Sequence, residues 1–164
     1  MFKEDNAKIR AQVLRTVEGL SDERFNEKPS ESEWSPMQIL DHLQLMETAI
    51  AKGVAQELAN STSEKALKKP IQMTVSRMIK VDAPKHTVPT EEFVTMDEMK
   101  TRLNASHNFL YEVYGSADKE LLEQKSMAHP VFGKVPLEQW FPFVGLHEKR
   151  HLKQLERTLR KLNQ

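Results

Sequence analysis

"SPMQILDHLQLMETAIAKGV", residues 35–54, is the stretch that decides the fold. Ser35 can cap a helix, Pro36 suits the first helical position, and Gln38 stands where a capping box places its reciprocal partner. From there the apolar residues Ile39, Leu43, Met46, Ile50 and Val54 recur at helical spacing. The pattern predicts a helix from residue 36 to about residue 59 with one buried stripe. His42 falls inside that stripe, between Ile39 and Met46.

Working outward, three more segments carry the same periodicity. Residues 3–20 place Ile9, Val13, Val17 and Leu20 on one face. Residues 95–115 open on a second capping box, Thr95 with Glu98, and continue through Met99, Leu103, Ser106, Leu110 and Val113 to a stop at Gly115. The last segment runs from Pro136 to the C-terminus through Leu137, Trp140, Phe141, Val144, His147, His151, Leu155, Leu159 and Leu162. Pro142 and Gly145 lie inside it and invite a kink, because proline removes a backbone donor and crowds the preceding turn. A short turn is expected at 21–26 and a short helix at 116–124, and "SMAHPVFGKVP" (126–136) reads as a loop.

Residues 60–94 hold no long helix. They begin with polar "NSTSEKALKKP", and "IQMTVSRMIKV" (71–81) suits one short helix before Pro84 and Pro89. A connection of this length inside a domain is a crossover or a functional loop. The expected architecture is all-α: a single domain, residues 1–164, folded as a four-helix bundle with one long crossover connection.

Composition narrows the function. The 164 residues include 24 basic and 24 acidic side chains, so nothing points to nucleic acid or an anionic membrane as partner. The "KALKKP" run reads as a solvated loop. With no cysteine, disulfides, thiolate metal sites and a cysteine nucleophile are excluded. The N-terminus is charged from residue 3 and no stretch reaches the ~20 apolar residues of a membrane span, so a cytoplasmic protein is expected.

The histidines carry the chemistry. Residues four apart on a helix differ by ~40° around its axis, so His147 and His151 share a face. Val144 and Leu155 extend that face, which makes it the inward one. With His42, three imidazoles project into one bundle interior from two helices. Bundle cores are common places to build metal sites, and imidazole is the commonest protein ligand for zinc, nickel and similar ions. Three nitrogens with an exchangeable position is the plan of a catalytic site. "HEKRH" (147–151) also fits the zinc-protease pattern H-E-x-x-H. That reading lacks a third ligand downstream, and Glu148, ~100° from His147, reads as part of the outer face. Four other candidates are weaker. His129 opens a turn or reaches the mouth of the bundle, His107 is a reserve ligand, His86 is an exposed loop residue, and Glu47 is not positioned as a base. Met37, Met46, Met96 and Met99 are core filler.

"EWSPMQILDHLQLME" (33–47) and "HPVFGKVPLEQWFPFVGLHEKRHLKQLE" (129–156) resemble the DinB-like superfamily. This includes YfiT-type metal-dependent hydrolases, bacillithiol S-transferases and related thiol-dependent isomerases. The resemblance spans all four helices. It implies a four-helix bundle, often a homodimer, that binds nickel, zinc or a similar divalent ion through His42, His147 and His151 and acts on a small-molecule substrate, in some members with a low-molecular-weight thiol. It matches Trp34 to an aromatic packing the start of the second helix and Gln154 to a polar position after the last ligand. Two positions depart from the S-transferase pattern: Leu146 stands where many relatives have tryptophan, and Arg150 and Leu152 flank His151 where they often have a further histidine.

Three functions remain open on these residues. One is a metal-dependent hydrolase or thiol S-transferase. Another is a metal-binding protein without turnover. The third is a metal-free helical dimerisation module whose histidines are core packing.

Overall fold

The computed structural model describes residues 1–76 and 81–163. Four long helices dominate: α1 (Phe2–Val17), α3 (Pro36–Ala59), α4 (Met96–Ser116) and α6 (Leu137–Leu162). Short helices α2 (Asp22–Phe25) and α5 (Lys119–Gln124) sit in the connections. The start signal read at Ser35 acts as expected. Ser35 Oγ accepts from the Gln38 amide and Gln38 returns the bond to the Ser35 amide, so two orphan donors of the first turn are satisfied. Thr95 caps α4 through the Glu98 amide, but the Glu98 side chain meets Arg102 instead of returning the bond, so the box expected there is half made.

Side-chain partners fix the directions of the helices. Asp41 meets Arg102, and Glu47 meets Ser106 and His107. Partner numbers rise together, so α3 and α4 run parallel. Asn6 meets Phe141 and Arg10 meets Glu148, so α1 and α6 are parallel as well. The two pairs are antiparallel to each other. Lys125, whose carbonyl receives the Leu137 amide at the start of α6, donates to the Leu58 and Asn60 carbonyls at the end of α3. Parallel neighbours cannot be joined by a tight turn, which is why 60–95 is long. Within it, 3₁₀ turns form at Ile71–Val75 and Lys85–Thr87. Residues 77–80 of the short helix expected at 71–81 lie outside the described residues.

Two expectations are corrected. The 126–136 loop contains an antiparallel hairpin, β1 (Ser126–His129) with β2 (Gly133–Pro136). Its four-residue strands are too short for alternation to announce them, and Gly133 at φ +73° closes the turn. Glu148 is not on an outer face. It is 3% exposed, because α6 buries one side toward the histidines and another against α1. The interior falls into two hydrophobic groups. One is built around Phe141, Phe143, Ile50 and Leu110, the other around Phe25, Leu40, Leu103 and Leu155. Among the described residues, no helix is long and apolar enough to cross a membrane.

α1 and α6 approach closely at one point. A Cβ on Gly145 would fall 2.1 Å from Asn6 Oδ1. Asn6 itself donates to the Phe141 carbonyl at 2.9 Å. Glycine is needed there for space, not for backbone conformation.

Candidate metal centre

His42 leaves α3 about two turns after its capped start, and His147 and His151 leave the middle of α6. All three are buried, and their Nε2 atoms converge. His147 Nε2 lies 3.2 Å from His42 Nε2 and 3.1 Å from His151 Nε2. One ring nitrogen from each histidine lies within 4.8 Å of the other two.

The far side of two rings sets their tautomers. His42 Nδ1 is 2.8 Å from the Thr87 carbonyl, which can only accept, so Nδ1 carries the proton and Nε2 presents a lone pair. His151 Nδ1 lies 2.7 Å from Gln154 Oε1, with the same result. Metal-ligating histidines are oriented by second partners of this kind. Burial holds the pKa of His42 below the ordinary value, against the opposing pull of the Thr87 bond and Asp41. Burial pushes His147 well below it, helped by the charges that His151, His42 and Arg150 would place beside it. Each of these two rings therefore favours the neutral form, the form that coordinates metals.

Two of the three separations, those of His147 from His42 and from His151, match nitrogens sharing one ion. Nitrogens ~2.0–2.1 Å from zinc lie ~2.9 Å apart at a right angle and ~3.4 Å apart at the tetrahedral angle. The observed 3.1 and 3.2 Å fall between. Without an ion, His147 carrying its proton on Nε2 can donate to these lone pairs; with an ion, all three nitrogens can turn lone pairs toward it.

The cluster borders a cavity of about 540 Å³, within the range of small-molecule sites. Trp34, Met46, Phe132 and Phe143 supply apolar wall, and 81–84 of the crossover supply another side. The Trp34 ring sits 5.1 Å from the His42 ring, so it both packs the start of α3 and walls the site. Arg150 crosses to the Thr74 and Ser76 carbonyls and ties α6 to the crossover beside the cavity.

The remaining candidates sort clearly. His107 is not in the cluster; its Nδ1 lies 3.2 Å from Glu47 Oε2. Glu47 also accepts from Ser106 at 2.6 Å and from Arg10 at 3.0 Å. Glu148 binds the same guanidinium, whose Nε lies 3.1 and 3.2 Å from its two oxygens. Burial disfavours charge on Arg10, but Glu148 and Glu47 outweigh it and hold its pKa up. Burial raises the Glu148 carboxyl more than Arg10 lowers it. For Glu47 burial is outweighed by the bonds from His107, Arg10 and Ser106, and its pKa falls. Both carboxylates are thus committed to a network where α1, α3, α4 and α6 meet. His86 is exposed, as expected. His129 does both things considered for it: its Nδ1 accepts from the Val131 and Phe132 amides in the hairpin turn, and the residue borders the cavity.

The sequence reading missed the Thr87 acceptor and the Arg10 network. Thr87 sits in a non-periodic stretch 45 residues from His42, where no spacing rule applies.

Comparison with known proteins bears on the family and the fold. The chain is 33% identical over 153 residues to YuaE of Bacillus subtilis (strain 168), an uncharacterised protein, with 93% of this chain and 94% of YuaE covered. Its fold is similar to that of TT2238, a four-helix bundle protein (TM-score 0.64, 17% identity, 95% of this chain and 96% of that one). It is also similar to YfiT from Bacillus subtilis, described as a probable metal-dependent hydrolase with an unusual four-helix bundle topology (TM-score 0.63, 12% identity, 99% and 86%). The DinB superfamily model matches residues 7–155, and the chain belongs to that superfamily.

Proposed function

We propose that this protein is a divalent-metal-dependent enzyme acting on a small molecule, with His42, His147 and His151 as ligands. The observation that carries this reading is the convergence of three Nε2 atoms, two with their tautomers set by Thr87 and Gln154, on the wall of a cavity. A zinc or nickel ion held there would act as a Lewis acid, making a bound water or thiol more acidic. The chain's own residues do the rest. Thr87 and Gln154 keep lone pairs facing the ion's position, and Trp34, Phe132 and Phe143 exclude water from one side of the cavity.

Hydrolysis is supported by the similarity to YfiT, described as a probable metal-dependent hydrolase. Transfer from a low-molecular-weight thiol is favoured by a different observation. Glu47 and Glu148 are both bound to Arg10, away from the cavity, and of the two carboxylates that line it Glu33 is tied to Ser30 and Lys161 while Asp82 is solvent-exposed. A thiol sheds its single proton on binding a metal and needs no general base for attack, whereas hydrolysis usually employs one. The reading includes a homodimer, which light scattering tests separately.

The experiment starts with untagged protein, in which bound metal is measured by mass spectrometry for the wild type and His147→Ala. About one ion per chain, lost in the variant, is expected. Metal-loaded protein is then given thiols with an electrophile panel, and an ester and amide panel without thiol. No ion bound even after adding zinc or nickel would end the proposal in favour of a helical interaction module. Bound metal without turnover on either panel would favour a metal-binding protein.

A further inference from the structure

The hairpin turn gives His129 an unusual constraint. Its Nδ1 lies 3.0 Å from the Val131 amide nitrogen and 3.2 Å from that of Phe132. Both amides can only donate, so Nδ1 must be the acceptor and cannot carry a proton while the turn persists. The neutral ring then bears its hydrogen on Nε2. A doubly protonated ring would have to break both turn bonds.

The position of the ring gives that hydrogen a use. The imidazole packs among aromatics, 4.8 Å from the Phe132 ring, 5.2 Å from Phe143 and 5.8 Å from Trp140. It borders the same cavity as His42, His147 and His151. Its Nε2 has no hydrogen-bond partner among the described residues, so the donor remains available. Burial favours the neutral state that the turn enforces.

We infer that His129 forms a hydrogen-bond-donor subsite, fixed as the neutral Nε2–H tautomer, for an acceptor oxygen of a ligand whose apolar or aromatic body lies against Phe132 and Phe143. The subsite adds selectivity to the metal reading and rests on it for the ligand's other anchor. Its donor is permanent: it does not depend on the ring gaining charge. A ligand bearing a carbonyl, carboxamide or hydroxamate oxygen gains a bond there, and one offering only sulfur or carbon does not.

Two measurements test this. The first is a two-bond proton–nitrogen correlation spectrum of the ¹⁵N-labelled protein, recorded with and without zinc. Nε2 of His129 should be protonated and Nδ1 bare in both samples. A bare Nε2, or rapid exchange between tautomers, overturns the inference whether or not metal binds. The second compares benzohydroxamate with benzenethiol as zinc-directed probes on the zinc-loaded protein. His129→Asn retains a side-chain oxygen able to accept the turn amides and withdraws the cavity donor. Benzohydroxamate should bind about tenfold more weakly to it, the worth of one hydrogen bond, and benzenethiol equally well. His129→Gln, in which a longer amide can donate, should recover part of the loss. Equal benzohydroxamate affinity in wild type and His129→Asn, or parallel loss of both probes with zinc content intact, would sink the subsite. Failure of the metal reading looks different: neither probe binds the wild type, while the tautomer spectrum is unchanged.

Discussion

Arg10 and Glu148 form a buried ion pair across the contact between the first and last helices. Arg10 Nε reaches both carboxylate oxygens, and Nη2 of the same guanidinium bonds Glu148 and Glu47 together. Arg10 also donates to the Leu103 carbonyl at 3.2 Å, so one side chain joins α1 to the other three long helices.

Replacing Arg10 should therefore be severe. Arg10→Met leaves two buried carboxylates without their cation, and such a loss costs about 3–5 kcal/mol. Adding Glu148→Gln should restore part of this, since burial already biases that carboxyl toward its protonated form. Urea unfolding of the single and double variants measures both. A loss below about 1 kcal/mol for Arg10→Met would mean the pair contributes no more than a surface bridge.

Gly145→Ala should destabilise α1 against α6. The new methyl group meets Asn6 Oδ1 at 2.1 Å, and moving Asn6 breaks its bond to the Phe141 carbonyl. Overpacking of this kind costs about 1–3 kcal/mol. Thermal unfolding with unchanged helical circular dichroism at low temperature is the expected result. Unaltered stability would show that the two helices separate without penalty.

Zinc should stabilise the wild type and spare His42→Ala. A ligand at a hundredfold excess over its Kd adds about 2.7 kcal/mol to the folded state. Calorimetry with and without zinc reads this as a rise in Tm that the variant lacks. Gln154→Leu should keep the fold but weaken zinc binding by about 10–100-fold, because His151 loses the acceptor that orients it. Competition with a chromogenic chelator gives that ratio.

The metal-free protein should lose stability as the pH falls. The folded pKa values of His42 and His147 lie below the ordinary value of 6.5, chiefly through burial. Below 6.5 the unfolded chain therefore binds more protons than the native one. Stability is fully present above that pH and declines as the pH falls toward the folded values. Zinc should move the decline to lower pH by competing with protons for the same nitrogens. Denaturation midpoints across this range check the sign; greater stability at low pH would contradict it.

Much of this site was legible before the fold was known. Ser35, Pro36 and Gln38 announce α3, and regular spacing then places His42 inward; the same spacing pairs His147 with His151. What was not legible was polar burial. A stripe read from hydrophobicity finds the buried Val13 and Val17 in the first helix, but it also picks Ile9, which is half-exposed, and misses the buried Asn6 and Arg10. A buried arginine looks like a surface one until its carboxylates are placed, and Glu47 and Glu148 come from helices distant in the chain. Glu148 misled for the same reason. A helix packed on two sides has no single outer face, and one stripe cannot describe it.

The long crossover has a consequence for how this architecture can change. Parallel neighbours oblige the chain to travel back along the bundle, and on the way it delivers the Thr87 carbonyl to His42 and one side of the cavity. Shortening that excursion would therefore unsettle the His42 tautomer as well as a loop. Descendants of this chain are free to vary the sequence of the return path, but not to dispense with an oxygen at its far end.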